Sequence, residues 1–260
     1  MIFFFLFFSL FRCFFAYNET VSQHCVYLAQ LNYCGQFDVC DSCVIHFVVE
    51  NSGSMALQGF DFFTSSIFTS FRGSANTRNW IEDFQISPIA PYNDSDILVE
   101  KGFYKNYMFI KSMLFENLQN LSLVYNTNSL LITGHSLGSS AATLFAFDIA
   151  LQDFYAIDFF YNFGSPRVGN ENFVHVFNSL IYGFRVVHNN DIVTNLPPSS
   201  FGYEHISQGV WYDLNNTFYI FIDDYSCYKD CSTSDHLNYL NISMGSSGCP
   251  LSYTPSEAGG

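Results

Sequence analysis

One segment constrains this chain more than any other: Ser129-Leu130-Leu131-Ile132-Thr133-Gly134-His135-Ser136-Leu137-Gly138. An apolar run ends in G-x-S-x-G and continues into the small residues Ser139, Ser140, Ala141 and Ala142. That order predicts a buried strand, a sharp turn and a helix whose first turns lie close to a sheet. Such a turn needs both glycines, because neighbouring backbone crowds the serine. It would lift the Ser136 hydroxyl out of the sheet at a helix N-terminus, with the Leu137 N–H aimed where an oxyanion forms. Three fixed positions alone are a weak pattern, and a strand–turn–helix with a buried serine is the alternative. The strand before and the small residues after favour a nucleophile.

A hydroxyl at neutral pH is a poor nucleophile, so a histidine must take its proton and a carboxylate must orient that histidine. In strand–elbow–helix enzymes the order is serine, acid, histidine. Asp191 is the best-placed acid because it follows a strand ending at Val187-His188. Asp148, Asp153 and Asp158 look helical or precede a strand. His205 and His236 are both candidates for the base, and spacing does not choose between them. Each also has a structural alternative: a turn residue for Asp191 and a surface or buried structural role for either histidine.

The rest of the chain supplies a sheet for this turn. Ile67–Phe71, Ser129–Thr133, Phe159–Phe163 and Ile181–Val187 read as strands, each stopped by Gly- or Asn-containing turns. Phe103–Tyr125 and Ser140–Asp153 have helical spacing between them. Strands alternating with helices predict an α/β fold, a mostly parallel central sheet with helices on its faces and the site at the carboxyl ends of the strands. No repeat, charge block or Pro/Gly linker marks a second domain, so residues 17–260 are expected to form one. With 49% hydrophobic and only 12% charged residues the chain should bury a large core. A net charge of −14 argues against nucleic acid and against electrostatic attachment to anionic lipid, so any lipid surface must be met by apolar contact.

Eight of the 31 phenylalanines lie within residues 1–16. A helix of that stretch would be about 24 Å long, too short for a hydrocarbon core of about 30 Å, so a secretory signal peptide ending at Ala16 is expected; an uncleaved anchor is the alternative. Five N-x-[ST] sequons, at Asn18, Asn93, Asn120, Asn215 and Asn241, suit a glycoprotein that is secreted or held in the lumen of the secretory or phagosomal pathway. Cys25, Cys34, Cys40, Cys43, Cys227, Cys231 and Cys249 cluster toward the two ends, as disulfide staples would. A zinc site on Cys40-x2-Cys43 with Cys227-x3-Cys231 is the competing reading. Seven is odd, and Cys25 is the expected free thiol.

These residues resemble the fungal-type triacylglycerol lipases, lipase class 3, of the α/β-hydrolase superfamily. The resemblance runs from about Tyr33 to Cys249. It is carried by Phe71-Arg72-Gly73-Ser74, Arg78-Asn79-Trp80-Ile81, Lys101-Gly102-Phe103, the Gly134–Gly138 elbow, Phe163-Gly164-Ser165-Pro166-Arg167-Val168-Gly169-Asn170, Arg185–Asp191, Leu196-Pro197-Pro198 and Asp235-His236-Leu237. It implies that Ser136 is the nucleophile, Asp191 the acid and His236 the base, because His236 matches the family's late Asp-His motif. His205 matches a structural motif that precedes Trp211-Tyr212. Ser74 and Leu137 match the oxyanion-hole positions, and Asp83 one that orients Ser74. The implied bridges are Cys34–Cys249, Cys40–Cys43 and Cys227–Cys231; the first would close a long loop and stabilise by about 5 kcal/mol in the chain-entropy model. Ser139, Gly209 and Thr194-Asn195 depart from the family pattern, where a glycine, a glutamate and Pro-His are frequent.

Trp80, Ile81 and Phe84 share one helical face, opposite Arg78 and Glu82. The pattern alone equally suits an ordinary docked surface helix; the resemblance implies a lid over the acyl site. The expected function is a secreted serine lipase that hydrolyses lipid carboxylic esters at an oil–water or membrane interface, triacylglycerols first. No metal, cofactor or obligate protein partner is implied. A phospholipase A1 or a soluble-ester, feruloyl-type esterase of the same fold is the nearest alternative, and a catalytically silent binding member a third.

Overall fold

A computed structural model describes residues 16–35, 40–82, 84–221, 227 and 230–249. Residues 1–15 of the expected leader, and Asp83, lie outside the described residues.

The chain opens with α1 (Glu19–Leu31), whose N-terminus is closed by the Asn18 side chain accepting from the Val21 N–H at 3.1 Å. Eight strands then form the main sheet: β1 (Cys43–Asn51), β2 (Ser54–Asp61), β3 (Ser66–Phe71), β4 (Ser129–His135), β5 (Ala156–Phe163), β6 (Phe184–His188), β7 (Gln208–Tyr212) and β8 (Phe218–Phe221). Their order across the sheet is their order in the chain. Strands β3 to β7 run parallel, and β1, β2 and β8 extend the two edges by antiparallel pairing. The main helices between strands are α2 (Thr77–Glu82), α3 (Lys101–Met108), α4 (Lys111–Tyr125), α5 (Leu137–Gln152) and α6 (Glu171–Leu180).

Two apolar cores lie on opposite faces of this sheet. Ile67, Phe71, Leu130, Ile132 and Phe160 point to the side covered by α3 to α6, whereas Phe68, Leu131, Tyr161 and Phe163 point to the side covered by α1. Alternation along each strand makes this necessary, and it explains why β4 reads as an unbroken apolar run. Helix α5 is buried on nearly every side, so its sequence is apolar all round.

Register brings the carboxyl ends of the parallel strands into line. Phe71 pairs with Gly134, His135 with Phe163, and Phe163 with Val186. The loops that carry Ser74, Ser136, Gly164 and Asp191 therefore leave the sheet side by side.

Several boundaries differ from the sequence reading. The stretch Phe103–Tyr125 is two helices, because the turn at Phe109–Ile110 ends α3 and starts α4. Ile181–Gly183 is not strand: Ile181 closes α6 by donating to the Phe177 carbonyl, and pairing begins at Phe184. Strand β4 continues through Gly134 to His135.

Candidate active site

Strand β4 delivers Ser136 in a conformation that only a tightly held residue adopts, φ 59° and ψ −132°. Its N–H donates to the Phe163 carbonyl at 3.0 Å, which fixes the turn against β5. The glycines on either side have no room for a side chain: a Cβ on Gly134 would stand 2.6 Å from the Gly138 carbonyl oxygen, and one on Gly138 2.3 Å from that of Phe71. Ser139, where the family often has glycine, is accommodated because its hydroxyl points back into the turn, shared between the carbonyls of Gly134 at 2.7 Å and Phe163 at 3.0 Å.

Strand β6 delivers Asp191, and a short 3-10 turn, Asp235–Leu237, delivers His236. Asp191 Oδ2 accepts from His236 Nδ1 at 2.8 Å and from the Tyr239 hydroxyl. Asp191 Oδ1 accepts from the Val193 N–H at 2.8 Å. Burial alone would raise this carboxyl. The charge of His236 and the hydrogen bonds from His236, Tyr239 and Val193 outweigh it, and the group stays ionised below the usual aspartate range. In the neutral imidazole, donation from Nδ1 to the carboxylate leaves the lone pair of His236 on Nε2. That nitrogen and the Ser136 hydroxyl are both buried and both without a hydrogen-bond partner. A proton acceptor and a hydroxyl in need of one are thus held at the same end of the sheet, around Phe163–Gly164: a Cβ on Gly164 would lie 2.9 Å from His236 Cε1 and 2.8 Å from Asp191 Oδ2.

Asp235 locks the loop of His236 onto the end of β6. Its carboxylate accepts from Asn189 Nδ2 at 2.7 Å and from the Asn190 N–H at 3.1 Å, and its carbonyl accepts from His188 Nδ1 at 2.9 Å. His205 lies elsewhere, its Nε2 on the Thr194 carbonyl at 2.8 Å; burial first, and the nearby Arg185 and Arg167 next, hold its pKa well down. Of the two histidines that spacing leaves open, His236 is the one at Asp191.

Leu137 begins α5, so its N–H lies at the open end of that helix. Ser74 is half-buried, and its Oγ accepts from the Asn76 N–H at 3.2 Å. Helix α2 places Trp80 and, just beyond it, Phe84 against Phe103, with ring centroids 6.2 and 5.5 Å away; Trp80 and Phe84 also touch each other at 5.2 Å. Ile81 is half-buried, and Arg78 and Glu82 face water. Ser136 itself has no exposed surface.

Disulfides join Cys34 to Cys249, Cys40 to Cys43 and Cys227 to Cys231. These bonds overturn the zinc reading, since the four cysteines it needs are consumed. Cys25 is a buried free thiol. The sequence reading gave no role to four neighbours of the site, Tyr239, Asp235, His135 and Tyr33, although Asp235 and His135 stand in its motifs. Tyr239 follows His236 by three residues, a spacing that returns it to the same side of a tight turn. Tyr33 has no local signal at all, being about 100 residues from the group it bonds.

Comparison with known proteins now identifies the family. The family model described as Lipase (class 3) matches residues 68–201, just over half of the chain, from β3 through the elbow to beyond Asp191. A lipase of Rhizomucor miehei is 33% identical over 194 residues, covering 69% of this chain and 53% of its own. A secreted mono- and diacylglycerol lipase A of Penicillium camembertii is 30% identical over 164 residues, covering 63% and 52%. The chain thus spans about half the length of these two relatives. Among solved structures, the Rhizomucor miehei triacylglyceride lipase superposes with a TM-score of 0.80 at 26% identity, over 89% of this chain and 98% of that one. A triacylglycerol lipase with a serine protease triad as its catalytic centre gives 0.79 at 26% identity, over the same shares. The sheet order, the elbow and these likenesses together give an α/β-hydrolase fold, and the chain belongs to the class 3 lipase family.

Proposed function

We propose that this chain is a secreted serine hydrolase that cleaves carboxylic esters of lipids, with triacylglycerols as principal substrate. The observation that carries the reading is the pair of buried, unpartnered atoms, Ser136 Oγ and His236 Nε2, with Asp191 behind the imidazole. His236 takes the Ser136 proton as Oγ attacks the ester carbonyl, and the negative oxygen that forms is held by the N–H of Leu137 and the donors of Ser74. Collapse expels the alcohol, which receives the proton from His236 and leaves an acyl-serine. Water attacks that ester with His236 again as base, and the fatty acid departs.

A closed site that admits no solvent to Ser136 needs a moving cover. Helix α2 is suited to that task, because Trp80 and Phe84 hold it against Phe103 by apolar contact, which a lipid surface can replace. Secretion is supported by the likeness to the secreted Penicillium lipase and by the exposure of all five sequon asparagines. No helix among the described residues is long and apolar enough to cross a membrane. The same relative's name favours mono- and diacylglycerols as a second reading of the substrate.

The test is one assay series of the protein and Ser136→Ala on emulsified triolein, emulsified diolein, phosphatidylcholine and a short soluble ester. The expected outcome is fastest turnover of triolein, and a fall of about 10⁶-fold in Ser136→Ala. Equal rates for the two proteins on all four would end the serine-hydrolase reading; fastest turnover of phosphatidylcholine or diolein would reassign the substrate.

A further inference from the structure

Beside the candidate catalytic groups runs a second hydrogen-bonded chain. The Tyr33 hydroxyl accepts from the Gly73 N–H at 3.0 Å and meets His135 Nδ1 at 2.7 Å. His135 Nε2 meets the carbonyl of His236 at 2.9 Å. A carbonyl only accepts, so Nε2 must carry the His135 hydrogen and Nδ1 the lone pair; the tyrosine therefore donates to Nδ1 and still accepts from Gly73. One tautomer satisfies every group. Burial first, and the neighbouring His236 next, push the His135 pKa down to about 3, while burial raises that of the Tyr33 phenol, so neither changes state over the neutral range.

The three segments so joined have separate duties. Gly73 precedes Ser74, the candidate oxyanion donor; His236 is the candidate base; Tyr33 adjoins Cys34, which is bridged to Cys249. His135 also lies against the His236 ring, with centroids 4.5 Å apart. A side chain on Gly73 would meet the Tyr33 hydroxyl at 2.3 Å and Ser136 Cβ at 2.8 Å, so the packing leaves no slack between tyrosine, loop and nucleophile.

We infer that Tyr33 is a positioning residue: through His135 its hydroxyl holds the oxyanion loop at Gly73–Ser74 and the base loop at His236 at a fixed separation, and the Cys34–Cys249 bridge anchors it there. The inference rests on the proposed function for its kinetic consequence. A misplaced oxyanion donor is felt in the transition state and hardly in the bound ester, so the cost falls on kcat rather than KM.

The experiment compares Tyr33→Phe, Ser74→Ala and the double variant on a soluble ester, with folded active sites counted by titration with an organophosphonate. Tyr33→Phe is expected to lower kcat per titrated site about tenfold, the scale of one lost hydrogen bond, with KM within about twofold. In the Ser74→Ala background the same change is expected to cost less than about threefold, because the loop it positions has already lost its donor. An unchanged kcat per titrated site in Tyr33→Phe, or multiplicative losses in the double variant, would overturn the inference. If the unaltered protein hydrolyses no ester, the functional reading fails and the inference is judged by exchange. Hydrogen exchange at the Gly73 amide should rise at least about tenfold in Tyr33→Phe, and the nitrogen-15 shifts of His135 should report loss of the fixed tautomer. Retention of both would overturn it on structural grounds alone.

Discussion

Ser136 and Gly164 stand at the ends of neighbouring strands, and both have positive φ, 59° and 57°. The first is costly for a residue with a side chain and is kept by the Phe163 carbonyl and by the crowding of Gly134 and Gly138. The second is natural for glycine, and the absence of a side chain there is what lets Asp191 and His236 close over it. Gly164→Ala combines backbone strain with a Cβ inside the contact distance of both groups. It is expected to lower kcat on a soluble ester by about 100-fold and stability by about 2 kcal/mol, read by steady-state kinetics and urea denaturation. Near-normal kcat would mean that Asp191 and His236 do not need their present spacing. At this scale the sequence was most legible where a motif is local: the elbow, and Asp235-His236 as a pair. It was silent on Tyr33 and on the tautomer of His135, because partners about 100 residues apart leave no spacing to read.

Helix α2 has one turn and a half, too short to be stable by itself. What keeps it in place is the aromatic stack on Phe103, contributed by α3, so the proposed cover and α3 form one packed unit. Trp80→Asp is expected to abolish the preference for emulsified over dissolved ester while leaving soluble-ester turnover within about threefold; an unaltered rate on emulsions would remove Trp80 from the interfacial step. The apolar face was legible from its spacing, but its partner was not, since periodicity tells which side of a helix is buried and not against what. Edge strand β8 makes the same point. Gly209 replaces a frequent glutamate, and the space is filled by Phe221 across the pair, whose ring lies 5.5 Å from the Arg185 guanidinium carbon. The bare backbone of one strand and the ring of the next fit together, which no single motif records.

Over the whole molecule, the apolar composition is divided between two cores separated by one sheet, and buried titratable groups tie that sheet to its loops. His135 is held neutral down to about pH 3, and His205 is likewise lowered by burial. The unfolded chain takes up a proton on each below about pH 6.5, so stability falls as the pH drops from about 6.5 toward about 3. Asp191 and Asp61 add a further fall below about pH 4. Burial alone would raise both, but His236, Tyr239 and Val193 around the first, and His24 and Thr64 around the second, hold them below the unfolded value. Between pH 7 and pH 5 the His135 contribution is about 2 kcal/mol. Urea denaturation of His135→Asn should therefore show a loss over that interval smaller than that of the unaltered protein by about this amount; parallel losses would place the titration elsewhere. The order of the strands was not legible, since sequence gives the strands and not their neighbours, although here the simplest order is the one adopted. That order has a bearing on synthesis. Each new strand can join the edge left by the one before it, so the scaffold can grow as the chain emerges from the ribosome. His236 and Cys249 follow all eight strands. A nascent chain can thus build its sheet and seat Ser136 while lacking both His236 and the clasp, so the activity proposed for it would arise only when its manufacture is nearly done.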